Sequence, residues 1–257
     1  MGPAATLSLT ALSGLPTIAA GADLAALIVE AASRSGVEFR SGDVLVVAQK
    51  IVSKAEGRRV FLADVTPSPR ALALAPEVDK DPRLVELILQ ESREVLRARP
   101  GVIVVVHRLG FVLANAGIDA SNVESEAGEE AVLLLPADPD RSAEGLRRQL
   151  QARTGAALGI VINDSFGRAW RLGTIGTAIG VAGLPALIDL RGTLDRSGRA
   201  LRVTEIGAAD ELAAAASLIM GQAGEGRPVV HARGFPYPLR PGKASELLRP
   251  AQLDLFR

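Results

Sequence analysis

The sequence predicts an α+β protein, a mixed α/β fold, and three observations support this. Short apolar segments typical of buried strands, such as residues 44–47 and 102–106, alternate with segments of helical periodicity. A hairpin pattern also occurs around residues 195–198, which a purely alternating βαβ fold would lack. No repeat or low-complexity linker divides the 257 residues. We therefore expect one unit over residues 1–257, either undivided or built from two intimately packed subdomains.

Composition limits the classes of function. Lysine plus arginine equals aspartate plus glutamate at 29 each, so no global field attracts nucleic acid or an anionic membrane. The chain has no cysteine and only two histidines, which disfavours thiolate or histidine-rich metal sites but leaves oxygen ligands for a hard cation. No apolar run reaches the roughly 20 residues that span a bilayer, and no signal peptide is apparent. We expect a cytoplasmic protein with neither nucleic-acid nor membrane partners.

The first half of the chain carries clear signals of local structure. Asp23 is the expected N-cap of a helix that ends near Gly36, and a buried strand at 44–47 follows. The segment at 15–18, before that helix, is an edge strand or a loop. Residues 61–75 are predicted to form a connection.

A second helix is predicted to begin at Asp81, followed by proline at its first position. Its apolar face runs from Leu84 to Val95, and we expect it to end before Pro100. A buried strand at 102–106 and a shorter apolar piece at 111–114 follow.

The second half begins with an apolar run at 133–135. Ser142 is the expected cap of a helix that closes near Gly155. Two short strands at 187–190 and 201–204 flank the hairpin turn, and an alanine-rich helix is predicted for 208–220.

Residues 156–171 form the most informative stretch. An apolar run ends at Asn163-Asp164-Ser165 and is followed by a glycine and two arginines. One interpretation is a buried strand that delivers Asp164 to a site at its end. The other is an ordinary turn, since Asn, Asp and Ser hydrogen-bond their own backbone.

Two glycine-rich segments each allow two interpretations. The glycines at 173, 176, 180 and 183 indicate either a phosphate-cradling loop or close packing of a helix. Residues 221–228 form either an anion-binding concavity of backbone N–H groups beside Arg227 or a plain glycine-rich helix stop.

Oxygen donors recur at the ends of the apolar segments, where hard cations and phosphates are commonly bound. They are Asp119 with Asn122, Asp164 with Ser165, and Gln222. Lys54 as a point charge and Arg108 and Arg168 as planar forks would suit phosphate. The P-loop, the Rossmann glycine turn, the nucleophile elbow and the zincin motif are all absent from the sequence.

Taken together, the motifs resemble one family. Residues 49–57 (QKIVSKAEG), 115–123 (NAGIDASNV), 163–171 (NDSFGRAWR), 203–206 (VTEI) and 220–222 (MGQ) are similar to those of the coenzyme F420-0:L-glutamate ligases of the CofE type. The resemblance runs from about Leu15 to Tyr237. It implies a CofE-like fold with mixed sheets, a two-lobed subunit and an intertwined homodimer. Some relatives carry a further nitroreductase-like domain, which we do not expect here.

The resemblance also implies roles for particular residues. Metal ligands would be Asp119, Asp164, Ser165 and Gln222, with Asp119, Asp164 and Arg168 in catalysis. Contacts to GTP would come from Leu15, Pro16, Thr17, Ile18, Gln49, Lys50, Lys54, Asn122, Met220, Gly221, Gly224 and Arg227. Gln49 and Lys50 lie where the loops of the family vary.

The activity that the resemblance implies is GTP-dependent addition of L-glutamate to coenzyme F420-0, and of γ-linked glutamates onward, in coenzyme F420 biosynthesis. GTP would be a substrate, with two divalent cations, Mg²⁺ or Mn²⁺, and a monovalent cation such as K⁺. An acyl phosphate would form and the glutamate amine would then attack it. Two alternatives remain open: a related ligase with a different acidic acceptor, and a non-catalytic module that binds a nucleotide or a deazaflavin.

Overall fold

The computed structural model describes residues 5–119 and 130–254. The helices are α1 (Leu24–Arg34), α2 (Gln49–Ala55), α3 (Pro69–Val78), α4 (Pro82–Gln90), α5 (Pro139–Thr154) and α6 (Ala208–Met220). The strands are β1 (Ser8–Ala11), β2 (Val44–Ala48), β3 (Arg59–Phe61), β4 (Ser92–Arg99), β5 (Val102–His107), β6 (Val112–Ala114), β7 (Ala131–Leu133), β8 (Gly159–Arg168), β9 (Arg171–Ala182), β10 (Ile188–Asp189), β11 (Glu205–Ile206) and β12 (Val229–Arg233).

A five-stranded sheet forms the centre of the molecule, in the order β1-β12-β2-β8-β9. Strands β2 and β8 run parallel, whereas the other neighbours in this sheet are antiparallel. A three-stranded sheet, β4-β5-β6, and two pairs, β3-β7 and β10-β11, complete the topology. The mixed sheets and the helices that cover them confirm the predicted α+β class.

The parallel pair β2 and β8 forms the middle of the main apolar core. Val44 pairs with Gly159 and Ala48 with Asn163, so the carboxyl ends of the two strands lie side by side. Residues 44–47 and 159–163 are buried, as the sequence predicted for strands covered on both faces. Helix α2 begins immediately after β2 and therefore starts beside Asn163.

Close packing against β9 explains two glycines of that strand, Gly176 and Gly180. A Cβ atom at Gly176 would overlap the backbone oxygen of Ala213 on α6, and one at Gly180 would lie 2.5 Å from the backbone oxygen of Pro139 on α5. Gly173, Gly176 and Gly180 lie within β9. The packing interpretation is therefore confirmed for Gly176 and Gly180, whereas a Cβ atom at Gly173 would meet nothing within 4 Å. Because all three lie in a strand, they do not form a phosphate-binding loop.

Two partly buried carboxylates fix the same helices to β9. Asp210 of α6 accepts the backbone N–H of Ala178 at 2.8 Å, and Asp140 of α5 accepts that of Val181 at 2.8 Å. Burial raises the pKa of both carboxyl groups, although these hydrogen bonds oppose the effect. The position of α6 relative to β9 is thus determined by small residues and by directed hydrogen bonds together.

A separate apolar core lies between α3, α4 and β5, and here two predictions were wrong. The segment 61–75 is not only a connection, because α3 begins at Pro69 with Ser68 as its N-cap. The helix that begins after Asp81 ends at Gln90 and does not continue to Pro100. Strand β4 replaces its second half and pairs antiparallel with β5.

One further boundary differs from the sequence prediction, and the structure decides between the stated alternatives for two segments. The N-cap of α5 is Asp138, whose side chain accepts the N–H of Arg141 at 3.0 Å, while Ser142 lies inside the helix. Strand β8 continues through Asp164 to Arg168, so the Asn163-Asp164-Ser165 sequence is not a turn. The segment at 15–18 forms neither helix nor strand, so of the two predicted alternatives it is the loop.

Several boundaries are confirmed. Asp23 caps α1, Asp81 caps α4, and Gly155 closes α5 with a φ of 71°. The alanine-rich helix spans Ala208–Met220 as predicted. The second strand of the hairpin was predicted at 201–204, but it is β11 at Glu205–Ile206, which pairs with β10. Within the described residues, no helix combines the length and apolar character needed to cross a membrane.

A buried ion network joins the second core to the rest of the molecule. Arg108 Nε lies 2.8 Å and Arg58 Nη2 lies 3.2 Å from the carboxylate of Glu91. His107 Nε2 is 3.4 Å from the same carboxylate. Burial alone would raise the pKa of Glu91, but His107, Arg108 and Arg58 together lower it to about 2.

We expect Glu91→Gln to lower the free energy of unfolding at pH 7 by about 3 kcal/mol, since it leaves two guanidinium groups without their buried partner. A depressed pKa stabilises the fold above the unfolded value near 4.5, and this stabilisation is lost as pH falls towards 2. Urea unfolding from pH 7 to pH 3 should therefore show the two proteins converging in acid. The exposed Glu94 offers a control, because Glu94→Gln should change little at any pH. A difference that stays constant with pH would contradict this account.

Candidate active site

A cavity of about 430 Å³ opens at the carboxyl ends of β2 and β8. Four segments distant in sequence line it: the loop at 15–18, the first turns of α2, residues 163–165 of β8, and the segment from the end of α6 to β12. The predicted site residues among its lining are Leu15, Pro16, Thr17, Ile18, Gln49, Lys50, Lys54, Asp164, Ser165, Met220, Gly221, Gln222 and Arg227. The adjacent ends of the parallel strands bring these segments together.

Helix α2 presents two lysines to the cavity. Lys50 and Lys54 are four residues apart and therefore lie on the same face of the helix. On another face, Ser53 Oγ donates to Gln49 Oε1 at 2.9 Å, and both side chains are buried. The Gln49 side chain is thus held by the helix itself, whereas the lysines supply positive charge.

Asp119 and Asp164 come together although 45 residues of sequence separate them. Backbone hydrogen bonds with Leu133 hold Asp119 in place, and Lys50 Nζ lies 2.6 Å from Asp119 Oδ2. Burial, and after it the charge of Asp119, raises the pKa of Asp164 to about 6. The hydrogen bond from the Ser165 N–H and the charge of Lys50 oppose this rise but do not cancel it. Two neighbouring carboxylates with insufficient compensating charge form a site that attracts a cation.

Ser165 connects β8 to the segment that follows α6. Its hydroxyl donates to Gln222 Oε1 at 2.6 Å, and its backbone N–H donates to Asp164 Oδ1 at 2.8 Å. Three of the four predicted metal ligands, Asp164, Ser165 and Gln222, are therefore linked by direct contacts. The fourth, Asp119, is linked to Asp164 through charge.

Three described residues among the predicted site residues, Asp119, Arg168 and Gly224, do not line this cavity, although Asp119 contacts its lining residue Lys50. Arg168 lies further along β8, where its Nη2 donates to the backbone oxygen of Leu172 at 3.2 Å. Gly224 is outside the lining although its neighbours belong to it. Asn122 lies outside the described residues. The roles assigned to all the predicted site residues, inside and outside the lining, stay predictions.

Among the polar lining residues, Asn163 was missed as a site residue, and Glu225 was anticipated only as part of the segment 221–228. Asn163 is only 3% exposed, its Nδ2 lies 3.8 Å from Met220 Sδ, and its Oδ1 has no hydrogen-bond partner in the described structure. Glu225 lines the cavity with its carboxylate folded back onto the N–H of Ala223. A polar residue directly before Asp164, and a lone carboxylate among glycines, were the available signals.

A larger cavity of about 730 Å³ opens near the start of β8 and the end of β9, where Leu158 and Val181 contribute to its lining. Its charges largely pair with each other: Glu144 contacts both Arg147 and Arg148, at 2.7 Å and 2.6 Å. The cavity contains none of the predicted site residues. We therefore assign the candidate active site to the smaller cavity.

The smaller cavity combines oxygen donors with cationic side chains. Hard divalent cations prefer carboxylate, hydroxyl and amide oxygens. Lysine and arginine side chains bind phosphate, the former as a point charge and the latter as a planar fork. The arrangement is therefore suited to a metal-bound polyphosphate, and it offers neither a cysteine nor a histidine nucleophile.

Comparisons with known proteins identify the family of the chain. The sequence model of the F420-0:Gamma-glutamyl ligase family matches residues 14–234. The coenzyme F420:L-glutamate ligase of Methanothermobacter thermautotrophicus is 49% identical over 98% of this chain and 99% of its own length. The enzymes of that name from Methanopyrus kandleri and Archaeoglobus fulgidus are each 44% identical, over 96% of this chain and over 100% and 94% of their lengths. The chain belongs to the F420-0:gamma-glutamyl ligase family.

Proposed function

We propose that the protein is a GTP-dependent ligase that adds L-glutamate to coenzyme F420-0, and γ-linked glutamates onward. The observation that carries the proposal is the meeting of Asp164, Lys50 and Lys54 at one cavity, with Asp119 beside them in contact with Lys50. Family membership supports coenzyme F420 and L-glutamate as the substrates, because the relatives are named for them.

Divalent cations fit the donor set. The raised pKa of Asp164 reflects a carboxylate that is buried beside another carboxylate, and a bound Mg²⁺ or Mn²⁺ would relieve that repulsion. Asp119, Asp164, Ser165 and Gln222 would hold it. Among the described residues, no cluster of three or more acidic or histidine side chains surrounds a single point. The hydroxyl and amide oxygens and the phosphates would therefore complete the coordination.

The nucleotide would lie along the cavity with its phosphates towards the carboxylates. Lys54, Lys50 and Arg227 would neutralise phosphate charge, while Leu15, Pro16 and Met220 offer apolar contact for the rest of the ligand. The bound cations would neutralise charge on the transferring phosphoryl group. K⁺ would serve as an additional monovalent cation, for which the family resemblance is the basis.

The reaction would proceed in two transfers. The F420-0 carboxylate oxygen attacks the γ-phosphorus and GDP leaves, which gives an acyl phosphate. The glutamate nitrogen then attacks the acyl carbon, loses a proton, and inorganic phosphate leaves. The side chains around the cavity would hold the reactants in line and limit access of water, which would otherwise hydrolyse the acyl phosphate.

A direct assay tests the function. Purified protein with F420-0, L-glutamate, Mg²⁺ and GTP should form a product whose mass has increased by glutamyl residues, with GDP and phosphate released in equal amounts. Omitting F420-0 tests for wasteful GTP hydrolysis, and replacing it by other carboxylic acids tests the alternative of a different acceptor. Binding of GTP without turnover would favour a non-catalytic module and contradict the proposal.

We also propose that the chain forms a homodimer through the β8–β9 hairpin. Trp170 and Leu172 near its tip are 88% and 98% exposed. Exposure of these apolar side chains to water is unfavourable, and burial in an interface would remove it. Trp170→Asp with Leu172→Asp should convert a dimer into an inactive monomer in sedimentation velocity at micromolar concentration. Leu218 on α6, 85% exposed, provides the control, since Leu218→Asp should leave the dimer intact. An active monomer of the unmodified protein would contradict the proposal.

A further inference from the structure

The segment between α6 and β12 carries an internal anion at the candidate active site. Helix α6 ends at Met220 and is capped by Gly221, which has a φ of 82°, and Gly226 has a φ of 66°. Within this turn, the carboxylate of Glu225 accepts the backbone N–H of Ala223 at 2.8 Å. Gly221, Ala223, Glu225 and Gly226 all line the cavity.

Gly221 makes room for this contact. A Cβ atom at position 221 would overlap the carboxyl carbon and Oε2 of Glu225 and would lie 2.6 Å from its Cγ. The carboxylate therefore fills the space that a side chain at 221 would otherwise occupy. Its position depends on the glycine and not on a salt bridge, since no ion pair within 4 Å joins Glu225 to any described residue.

The electrostatic surroundings favour an anion at this point. The hydrogen bond from the Ala223 N–H, followed by the Glu225 N–H, lowers the pKa of Glu225, with a contribution from the charge of Arg227. Backbone N–H groups and a nearby guanidinium are the groups that proteins use to bind phosphate. The Glu225 carboxylate thus occupies a position with phosphate-binding chemistry.

We propose that Glu225 is a built-in competitor for phosphate: its carboxylate occupies the N–H site of the loop and must move away before a polyphosphate binds there. Displacement frees the Ala223 N–H and removes one negative charge from the vicinity of Arg227. Glu225 therefore lowers the affinity for polyphosphate. A ligand binds at this position only if it interacts more strongly with the Ala223 N–H and Arg227 than the Glu225 carboxylate that it replaces. The inference rests on the proposed function only in that a nucleotide would supply the phosphate.

Inorganic pyrophosphate in EDTA is the appropriate probe, because it tests the anion site without metal, base or turnover. Isothermal titration calorimetry on the full chain should give about fivefold tighter binding for Glu225→Gln, since the neutral amide competes less well for the N–H. Glu225→Asp retains the charge but is one methylene shorter, so it no longer reaches Ala223. It should also bind pyrophosphate more tightly than the unmodified protein.

The two variants separate occupation of the site from a general charge effect. Tighter binding by both supports the proposal. If only Glu225→Gln binds more tightly, the carboxylate acts through its field alone, and the proposal is overturned. Unchanged or weaker binding by both variants, or no binding of pyrophosphate by any form, also overturns it. The ligation assay with GTP and Mg²⁺ decides the proposed function independently of these outcomes.

Discussion

Asp164→Asn is expected to lower kcat/KM for glutamate ligation by at least about a hundredfold, because a metal-held transfer depends on several kcal/mol of charge stabilisation. The asparagine keeps the shape of the side chain and loses its charge. The free energy of unfolding should stay the same or rise, since the raised pKa of Asp164 means that its charge is unfavourable in the folded protein without metal. Loss of activity without loss of stability would identify a functional carboxylate.

Two comparisons make this expectation specific. Asp119→Asn should produce a similar loss, whereas Asp64→Asn should have no effect, because Asp64 is exposed and outside the cavity. Calorimetric titration with Mn²⁺ should show weakened metal binding in Asp164→Asn and Asp119→Asn but not in Asp64→Asn. Near-normal turnover of Asp164→Asn would refute the metal assignment, and a large drop in its stability would indicate a structural role.

The second large effect is expected from Gly176→Ala, which should lower the free energy of unfolding by about 1–3 kcal/mol. The added methyl group would overlap the backbone oxygen of Ala213 and lie 2.7 Å from Asn163 Oδ1. Relief of these contacts requires α6 to move away from β9. Because Met220 and Gln222 stand at the end of that helix, ligation activity should fall as well.

Gly167→Ala provides the matched control. Gly167 lies on β8, across the same hairpin, and a Cβ atom there meets nothing within 4 Å. Urea denaturation should therefore show little change, or a slight stabilisation, for this variant. Equal destabilisation by both substitutions would mean that β propensity and not helix packing determines the requirement for glycine.

Local signals in the sequence were sufficient for much of the fold. Asp23, Asp81 and Gly155 mark helix ends correctly, because capping depends on side chains and backbone angles within a few residues. The buried strands β2, β5 and β8 were recognisable because each is apolar on both faces. The α+β class followed from the order of these elements.

Where pairing partners decide, local signals in the sequence were wrong for one segment and ambiguous for another. Residues 92–99 continue the apolar spacing of α4, yet they form β4 because β5 offers an edge with which to pair. Asn163-Asp164-Ser165 has the composition of a turn, yet β9 pairs with it, and the strand continues to Arg168. In both segments tertiary hydrogen bonding outweighs the intrinsic preference of the residues.

The sequence by itself determined the chemical inventory of this protein: oxygen donors, two lysines on one helical face, and motifs that identify the family. Only the tertiary structure decided which of these residues meet. Lys50 contacts Asp119, and Ser165 contacts Gln222, across 69 and 57 residues of chain. The tertiary structure also placed the Glu225 carboxylate against the N–H of Ala223 in its own loop. Contacts of this range depend on how strands pair and helices pack, and these arrangements have no local signature in the sequence.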